Sequence, residues 1–345
     1  MASTSPVRRL ASAAALSALL VAVPLAAQAP VPDPEADAAR FSAFLEEVKT
    51  EAVERGISAE VAAKALDGLT PLPVVVERDR SQAETILSID EYVRRRLTPT
   101  IVQRARTMAT THKTLLEKVG KTYGVQPRYL VAVWGLESNF GRFTGVRPTV
   151  QALATLAFDG RRGTLFRNEL FDALRIVERG HAPLDQLKGS WAGAMGQPQF
   201  MPSSYLRYAE DFDGDGARDI WNSQADVFAS IANYLKAYGW DHTATWGRPV
   251  RLPAPVKEIA ERAGSRGEGC RAERALTRRQ TLAEWQAMGV RTASGGSLPK
   301  VDRSASLLAA GGSNYLVYGN YEAILGYNCA NAYALSVAML GDRLP

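Results

Sequence analysis

Leu136-Glu137-Ser138-Asn139-Phe140-Gly141 places one carboxyl at the end of a run, Tyr129 to Leu136, that holds no charge at all. A helix that is apolar all round is buried. Glu137 lies one helical turn from Val133 and Trp134, so its carboxyl emerges among apolar side chains near a helix C-terminus. Burial and the negative end of the helix dipole both disfavour the carboxylate and push its pKa up. An acid protonated near neutral pH is what leaving-group protonation at a glycosidic bond requires. Taken alone, the motif fits equally a Glu that caps or bridges a helix end.

Two further segments carry chemistry. Gly189-Ser190-Trp191-Ala192-Gly193-Ala194-Met195-Gly196-Gln197-Pro198-Gln199-Phe200-Met201-Pro202-Ser203-Ser204-Tyr205 has no charge. Its glycines let backbone approach a ligand, and its Ser, Gln, Trp and Tyr supply hydrogen bonds and flat faces suited to sugar rings. This predicts groove lining, the alternative being a packed helix corner. Asp211, Asp213, Asp215 and Asp219 stand at positions 1, 3, 5 and 9 of a loop with Gly216 at position 6 and Ala217 at 7. That is the calcium-binding EF-hand pattern, which needs oxygen ligands on a sharply turned loop. Position 12 is Asn222 where the pattern has Glu, and Asp226 is close enough to supply the missing ligand.

The elements that position these residues read mainly as helices. Phe41, Phe44, Leu45 and Val48 recur at three- and four-residue spacing, predicting helix from Arg40 to Asp67 with a stop at Gly68. Helical patterns continue from Tyr92 to Leu116, behind Pro127, and over Val150–Phe158, Leu165–Glu178, Ser203–Ala209 and Ser223–Tyr238. From Trp246 to about Gly312 the texture changes to short β-compatible pieces such as Pro249–Leu252, a small lobe with some antiparallel sheet. Tyr315–Tyr318 then reads as strand and Tyr327–Leu340 as helix, returning the chain to the main body.

With 345 residues and 46% hydrophobic content, the chain has enough material for a catalytic body with smaller lobes. Arg8 and Arg9, the apolar run Leu10–Leu25 and the small residues of Ala27-Gln28-Ala29 read as a secretory signal cleaved after Ala29, with Pro30–Ala36 a flexible lead. No lipidation cysteine follows the apolar run, so a soluble periplasmic protein without a lipid anchor is expected. The mild net positive charge suits an anionic polymer and falls short of a nucleic-acid surface. Arg94-Arg95-Arg96 reads as a solvated or salt-bridged helix face. Cys270 and Cys329, the two cysteines, suggest one disulfide in an oxidising compartment, the alternative being two free buried thiols. His112, His181 and His242 show no zinc spacing and predict surface or packing roles.

In order and spacing, the Glu137 motif, the Gly189–Tyr205 stretch and the acidic loop resemble the membrane-bound lytic murein transglycosylase B family, from about Arg40 to the C-terminus. The resemblance implies a mainly α (α+β) fold: a lysozyme-like catalytic core, an additional helical domain and a small inserted β-containing lobe. In this chain those would be a helical domain at 30–115, a core at 116–245 with the loop at 211–222, a lobe at 246–312 and a returning segment at 313–345. It implies cleavage of the β-1,4 bond between N-acetylmuramic acid and N-acetylglucosamine of peptidoglycan, without water, leaving 1,6-anhydromuramoyl ends. Carried over residue by residue, Glu137 matches the catalytic acid/base, and Ser190 and Gln199 match polar substrate contacts. Arg161 and Arg162 match an arginine pair in the groove, Tyr92 and Tyr234 groove tyrosines, and Tyr327, Asn328 and Tyr333 a C-terminal group beside the acid. A structural Ca²⁺ on Asp211, Asp213, Asp215, Ala217, Asp219 and Asp226 is also implied, with no cofactor for catalysis. Against the family pattern, the segment before Arg161 is one residue shorter, and Gln197-Pro198 replaces a more usual aromatic-glycine pair.

Ordinary glycosidases pair two carboxyl groups about 5 to 10 Å apart. No second acid follows Glu137 closely in sequence, the next being Asp159, so the nucleophile is expected from the sugar. Two rivals fit the same residues: a hydrolytic muramidase of similar fold, and a non-catalytic, calcium-braced murein-binding protein.

Overall fold

The computed structural model describes residues 34–81 and 87–345; the expected signal segment lies outside them. Helix α1 (Pro34–Glu54) begins inside the stretch expected as a flexible lead. The single helix expected to Asp67 is two, because Gly56 takes a positive φ of 81° and Ser58 starts α2 (Ala59–Leu66) by accepting the Val61 N–H. Helices α3 (Pro73–Ser81), α8 (Thr149–Asp159), α9 (Gly163–Glu178) and α10 (Pro202–Tyr208) share one apolar core with α1 and α2, built around Phe41, Leu66, Phe171 and Phe200.

A second core collects α4 (Ile89–Arg96), α5 (Pro99–Thr111), α6 (Lys113–Tyr123), α7 (Pro127–Ser138), α11 (Gln224–Ala237), α15 (Gly319–Tyr327) and α16 (Asn331–Gly341). Ser88, Thr98 and Ser223 cap three of these helices by accepting a backbone N–H, a contribution of about 1 kcal/mol each. In α7 every residue from Tyr129 to Leu136 is buried, as its uncharged sequence predicts. Pro127 opens the helix, where a missing N–H costs nothing, and Asn139 closes it in the left-handed conformation. Gly341 on α16 packs on the Tyr129 ring so closely that a Cβ there would sit 2.7 Å from it. Between α15 and α16 the chain turns by 119°, so the helix expected over Tyr327–Leu340 starts only at Asn331. Among the described residues no single helix is long and apolar enough to cross a membrane.

Strands β1 (Arg147–Pro148) and β2 (Lys188–Gly189) pair antiparallel and tie the segment after α7 to the glycine-rich stretch. The lobe's sheet runs β4 (Gln280–Thr281), β6 (Ser304–Ala309), β7 (Asn314–Val317), β3 (Gly247–Arg251) and β5 (Arg291–Thr292), antiparallel throughout. Side chains alternate across it with period two. Ala305, Leu307 and Leu316 face a small core with Trp285, Ile259 and Leu282, on α12 (Val256–Ala263) and α14 (Leu282–Ala287). Leu308, Tyr315 and Val317 face the second helical core. The boundary expected at 312 falls in the β6–β7 turn, and β7 beyond it completes the sheet. Helix α13 (Arg271–Arg274) follows Cys270, which is bonded to Cys329 with Cα atoms 6.2 Å apart.

Candidate active site

Glu137, half-buried, is the last residue but one of α7, and Tyr327 beside it packs against both helical cores. Loss of solvation pushes its carboxyl up to about 7, while the Tyr333 hydroxyl and the Arg96 guanidinium pull the other way. Tyr333 on α16 is buried with its hydroxyl turned to Glu137 and, among the described residues, without another partner. Burial, then the neighbouring Glu137 charge, holds the Tyr327 and Tyr333 hydroxyls well above the usual phenol range, so both stay protonated donors.

The turn after Glu137 is strained and pinned. Asn139, Phe140 and Gly141 have φ of 51°, 60° and 77°, a run of left-handed residues that costs free energy at the two non-glycine positions. Ser138 holds it: its hydroxyl donates to the Trp134 carbonyl at 3.2 Å and accepts the Gly141 N–H at 3.0 Å. Gly135 lets the Phe140 ring fold back over the helix, since a Cβ there would lie 2.6 Å from it. Arg96 donates to the Leu136 carbonyl, while Arg94 and Arg95 pair with Glu91. The expected salt-bridged face therefore holds for two of the three arginines. The third braces the acid.

The glycine-rich stretch lies against this turn. Gly145 meets Gly189 so closely that a Cβ would overlap its backbone at 1.9 Å. Ser190 accepts the Ala192 and Ala194 N–H groups at 3.3 and 3.1 Å, which leaves its proton free to donate. Gln199, left-handed at φ 54°, donates to the Thr144 and Gly196 carbonyls. Tyr327 donates to the Pro198 carbonyl at 2.7 Å, fixing the C-terminal segment to the stretch.

The other expected residues divide. Tyr92, half-buried, lies near Tyr333. Asn328 is exposed between α15 and α16. Tyr234 is buried beneath Tyr327, its ring centroid 4.6 Å away, and donates to the Gly326 carbonyl, so it supports the groove tyrosine instead of lining open space. Arg161 and Arg162 both engage the buried Asp79 carboxylate, a partner some eighty residues away that no local pattern announces. A cavity of about 1000 Å³ along α3 and α8, lined by Arg80, Phe158 and Asp159, contains none of these residues. Sequence reasoning also passed over Gln197, Ser138 and Arg96 as supports. His112 stacks edge-on to Trp134 and Phe228, the packing role expected.

In the acidic loop, oxygens of Asp211, Asp213 and Asp226 lie within 4.8 Å of one another. Asp226 is buried, accepts the Phe212 and Asp219 N–H groups, and is pushed up to about 6, chiefly by burial. This hard-oxygen set suits calcium. Asp215 instead caps the Ala217 N–H, and Asp219 takes the Trp221 and Asn222 N–H groups. Of the five expected carboxylate ligands, Asp211, Asp213 and Asp226 converge.

Residues 40–342 match the profile of the Transglycosylase SLT domain family. The chain is 34% identical over 262 residues to the membrane-bound lytic murein transglycosylase B of Escherichia coli K12, covering 73% of this chain and 66% of that protein. Its fold superposes on SltB3 from Pseudomonas aeruginosa in complex with NAG-anhNAM-pentapeptide, with TM-score 0.80, 41% identity, and coverage of 88% of this chain and 78% of that one. It also superposes on the Escherichia coli lytic transglycosylase Slt35 in complex with calcium, with TM-score 0.71, 28% identity, and coverage of 89% and 93%. The mainly helical, lysozyme-like architecture expected from the sequence is thus the one observed.

Proposed function

Because the chain belongs to the Transglycosylase SLT domain family, we propose that it is a lytic transglycosylase acting on the MurNAc-GlcNAc bond of peptidoglycan strands, with Glu137 as single acid and base. The observation that carries this reading is a half-buried carboxyl at the end of an uncharged buried helix, pushed up to about 7 chiefly by burial, with the Tyr333 hydroxyl and the Arg96 guanidinium acting on it. Glu137 donates its proton to the bridging oxygen as the C1–O bond breaks, and the muramoyl acetamido carbonyl supports the anomeric centre. The Glu137 carboxylate then takes the C6 hydroxyl proton as that oxygen bonds C1. The ring closes to the 1,6-anhydro form, and the acid is restored for the next turnover without any cofactor.

Tyr333 orients the carboxyl, and Tyr327 closes the wall beside it. Ser190 and Gln199 contact the substrate near the acid. Arg161 and Arg162, held by Asp79, and Tyr92 and Asn328 contact it further out. Supporting the substrate class, the SltB3 complexes carry NAG-anhNAM-pentapeptide and NAG-NAM-pentapeptide. The protein acts outside the cytoplasmic membrane after cleavage at Ala29, and a structural Ca²⁺ on Asp211, Asp213 and Asp226 braces the loop after the groove.

Digestion of sacculi followed by mass spectrometry tests the reading. Anhydro-muropeptides from wild type and a loss of at least about 100-fold in Glu137→Gln are expected. Reducing-end muramic acid would make the protein a muramidase, and wild-type digestion by Glu137→Gln would remove Glu137 from the chemistry.

A further inference from the structure

Gln197 is buried, and its carboxamide is used on three sides. Its Oε1 accepts the Trp134 indole N–H at 2.7 Å and the Gln224 Nε2 at 3.0 Å, and its Nε2 donates to the Trp221 carbonyl at 2.8 Å. Its backbone N–H donates to Ile220 at 2.9 Å. Gly141 packs on the same carboxamide: a Cβ on Gly141 would stand 2.5 Å from Oε1. One neutral side chain therefore touches the indole one turn before Glu137, the left-handed turn just after it, and the segment that closes the acidic loop.

Trp134 is a hub for the end of α7. Its carbonyl accepts the Ser138 hydroxyl and the Phe140 N–H, and its ring sits edge-on to Phe140, Phe228 and His112. Residues three apart on a helix share a face, so Trp134 and Glu137 lie one turn apart on the same side of α7. The 139–141 turn is strained, and strained backbone persists only where its surroundings over-determine it. Gln197 is positioned to hold both the indole and the turn.

We infer that Gln197 is a positioning residue for the Glu137 carboxyl, acting through the Trp134 indole and the 139–141 turn and tying both to Ile220–Gln224. The inference rests on the acid role proposed for Glu137. It assigns a task to the position where this chain departs from the aromatic residue more usual in the pattern it resembles. Gln197→Met keeps the length and removes all three polar contacts; Trp134→Phe removes only the indole donor and leaves Gln197 bound to Gln224 and Trp221.

The test is steady-state cleavage of soluble murein glycan strands by the full chain, with pH profiles, for both single variants, the double variant and Glu137→Gln. Expected for Gln197→Met are a kcat lower by about 10-fold, KM within about twofold of wild type, and an alkaline-limb pKa displaced by at least about half a unit. Trp134→Phe should move the same readouts in the same direction, and the double variant should be no worse than the worse single, since the Trp134–Gln197 bond is lost in both. Multiplying losses in the double variant, or wild-type kcat and pH profile with only a lowered melting temperature, would overturn the inference. If Gln197→Met does not fold, Trp134→Phe supplies the kcat and pH readout alone. Full turnover by Glu137→Gln would instead sink the acid assignment.

Discussion

Tyr333, at the far end of the chain, points a buried hydroxyl at the Glu137 carboxyl and so favours its ionised form, against the burial that favours the neutral one. The carboxyl stands at about 7 as the balance of these effects. Such a poise suits a group that must give a proton and take one back in a single turnover.

Tyr333→Phe removes the opposing hydroxyl while keeping the ring. The Glu137 pKa should rise further, and the alkaline limb of the pH–kcat profile should move up with it. An alkaline limb that stays in place or moves down would show that the hydroxyl does not act on the acid. Wild-type activity itself should decline as pH rises through about 7, since ionised Glu137 has no proton to donate.

The raised pKa is also a cost to folding. Between pH 4.5, the ordinary value, and about 7, the folded protein holds a proton that the unfolded chain has released. Stability from this group is therefore fully present below about 4.5 and lost as pH rises toward 7. Glu137→Gln should match wild type in thermal melts near pH 4 and exceed it above pH 7, by on the order of 3 kcal/mol. Equal melting behaviour at both pH values would mean that the carboxyl is not desolvated.

Calcium should raise the melting temperature of the wild-type chain, by the equivalent of about 2.7 kcal/mol at a hundredfold excess over the dissociation constant. Asp211→Ala, which removes one of the three converging carboxylates, should abolish most of the shift. No calcium-dependent shift in wild type would leave the loop a self-capped acidic turn, held by the Asp211 bonds to Gly214 and Gly216.

The disulfide fastens the lobe to the segment that carries the site tyrosines. Cys329 lies between Tyr327 and Tyr333, and Asn331 donates to the Ala272 carbonyl beside Cys270. Replacing both cysteines by serine should cost about 2–5 kcal/mol in denaturant melts. Activity should fall more than that of a surface variant of equal stability, because Tyr327 and Tyr333 lose an anchor. Unchanged kcat would confine the bond to a stabilising role.

Local chemistry was legible in the sequence wherever it depends on neighbours along the chain. The uncharged run before Glu137 announced a buried helix, the direction of the pKa shift followed from that burial, and the acidic spacing announced a turned loop of oxygen donors. Amphipathic spacing likewise gave most helices, because a helix face is set by residues three and four apart. What brings distant residues together was not legible in the residues themselves: the resemblance alone set Tyr333 beside Glu137, and nothing announced Arg96 behind Glu137, Asp79 under Arg161 and Arg162, Gln197 between Trp134 and Trp221, or Tyr234 beneath Tyr327. Each of these contacts depends on how two packed cores and a sheet meet. No periodicity encodes that meeting, which is decided by burying all their apolar faces at once.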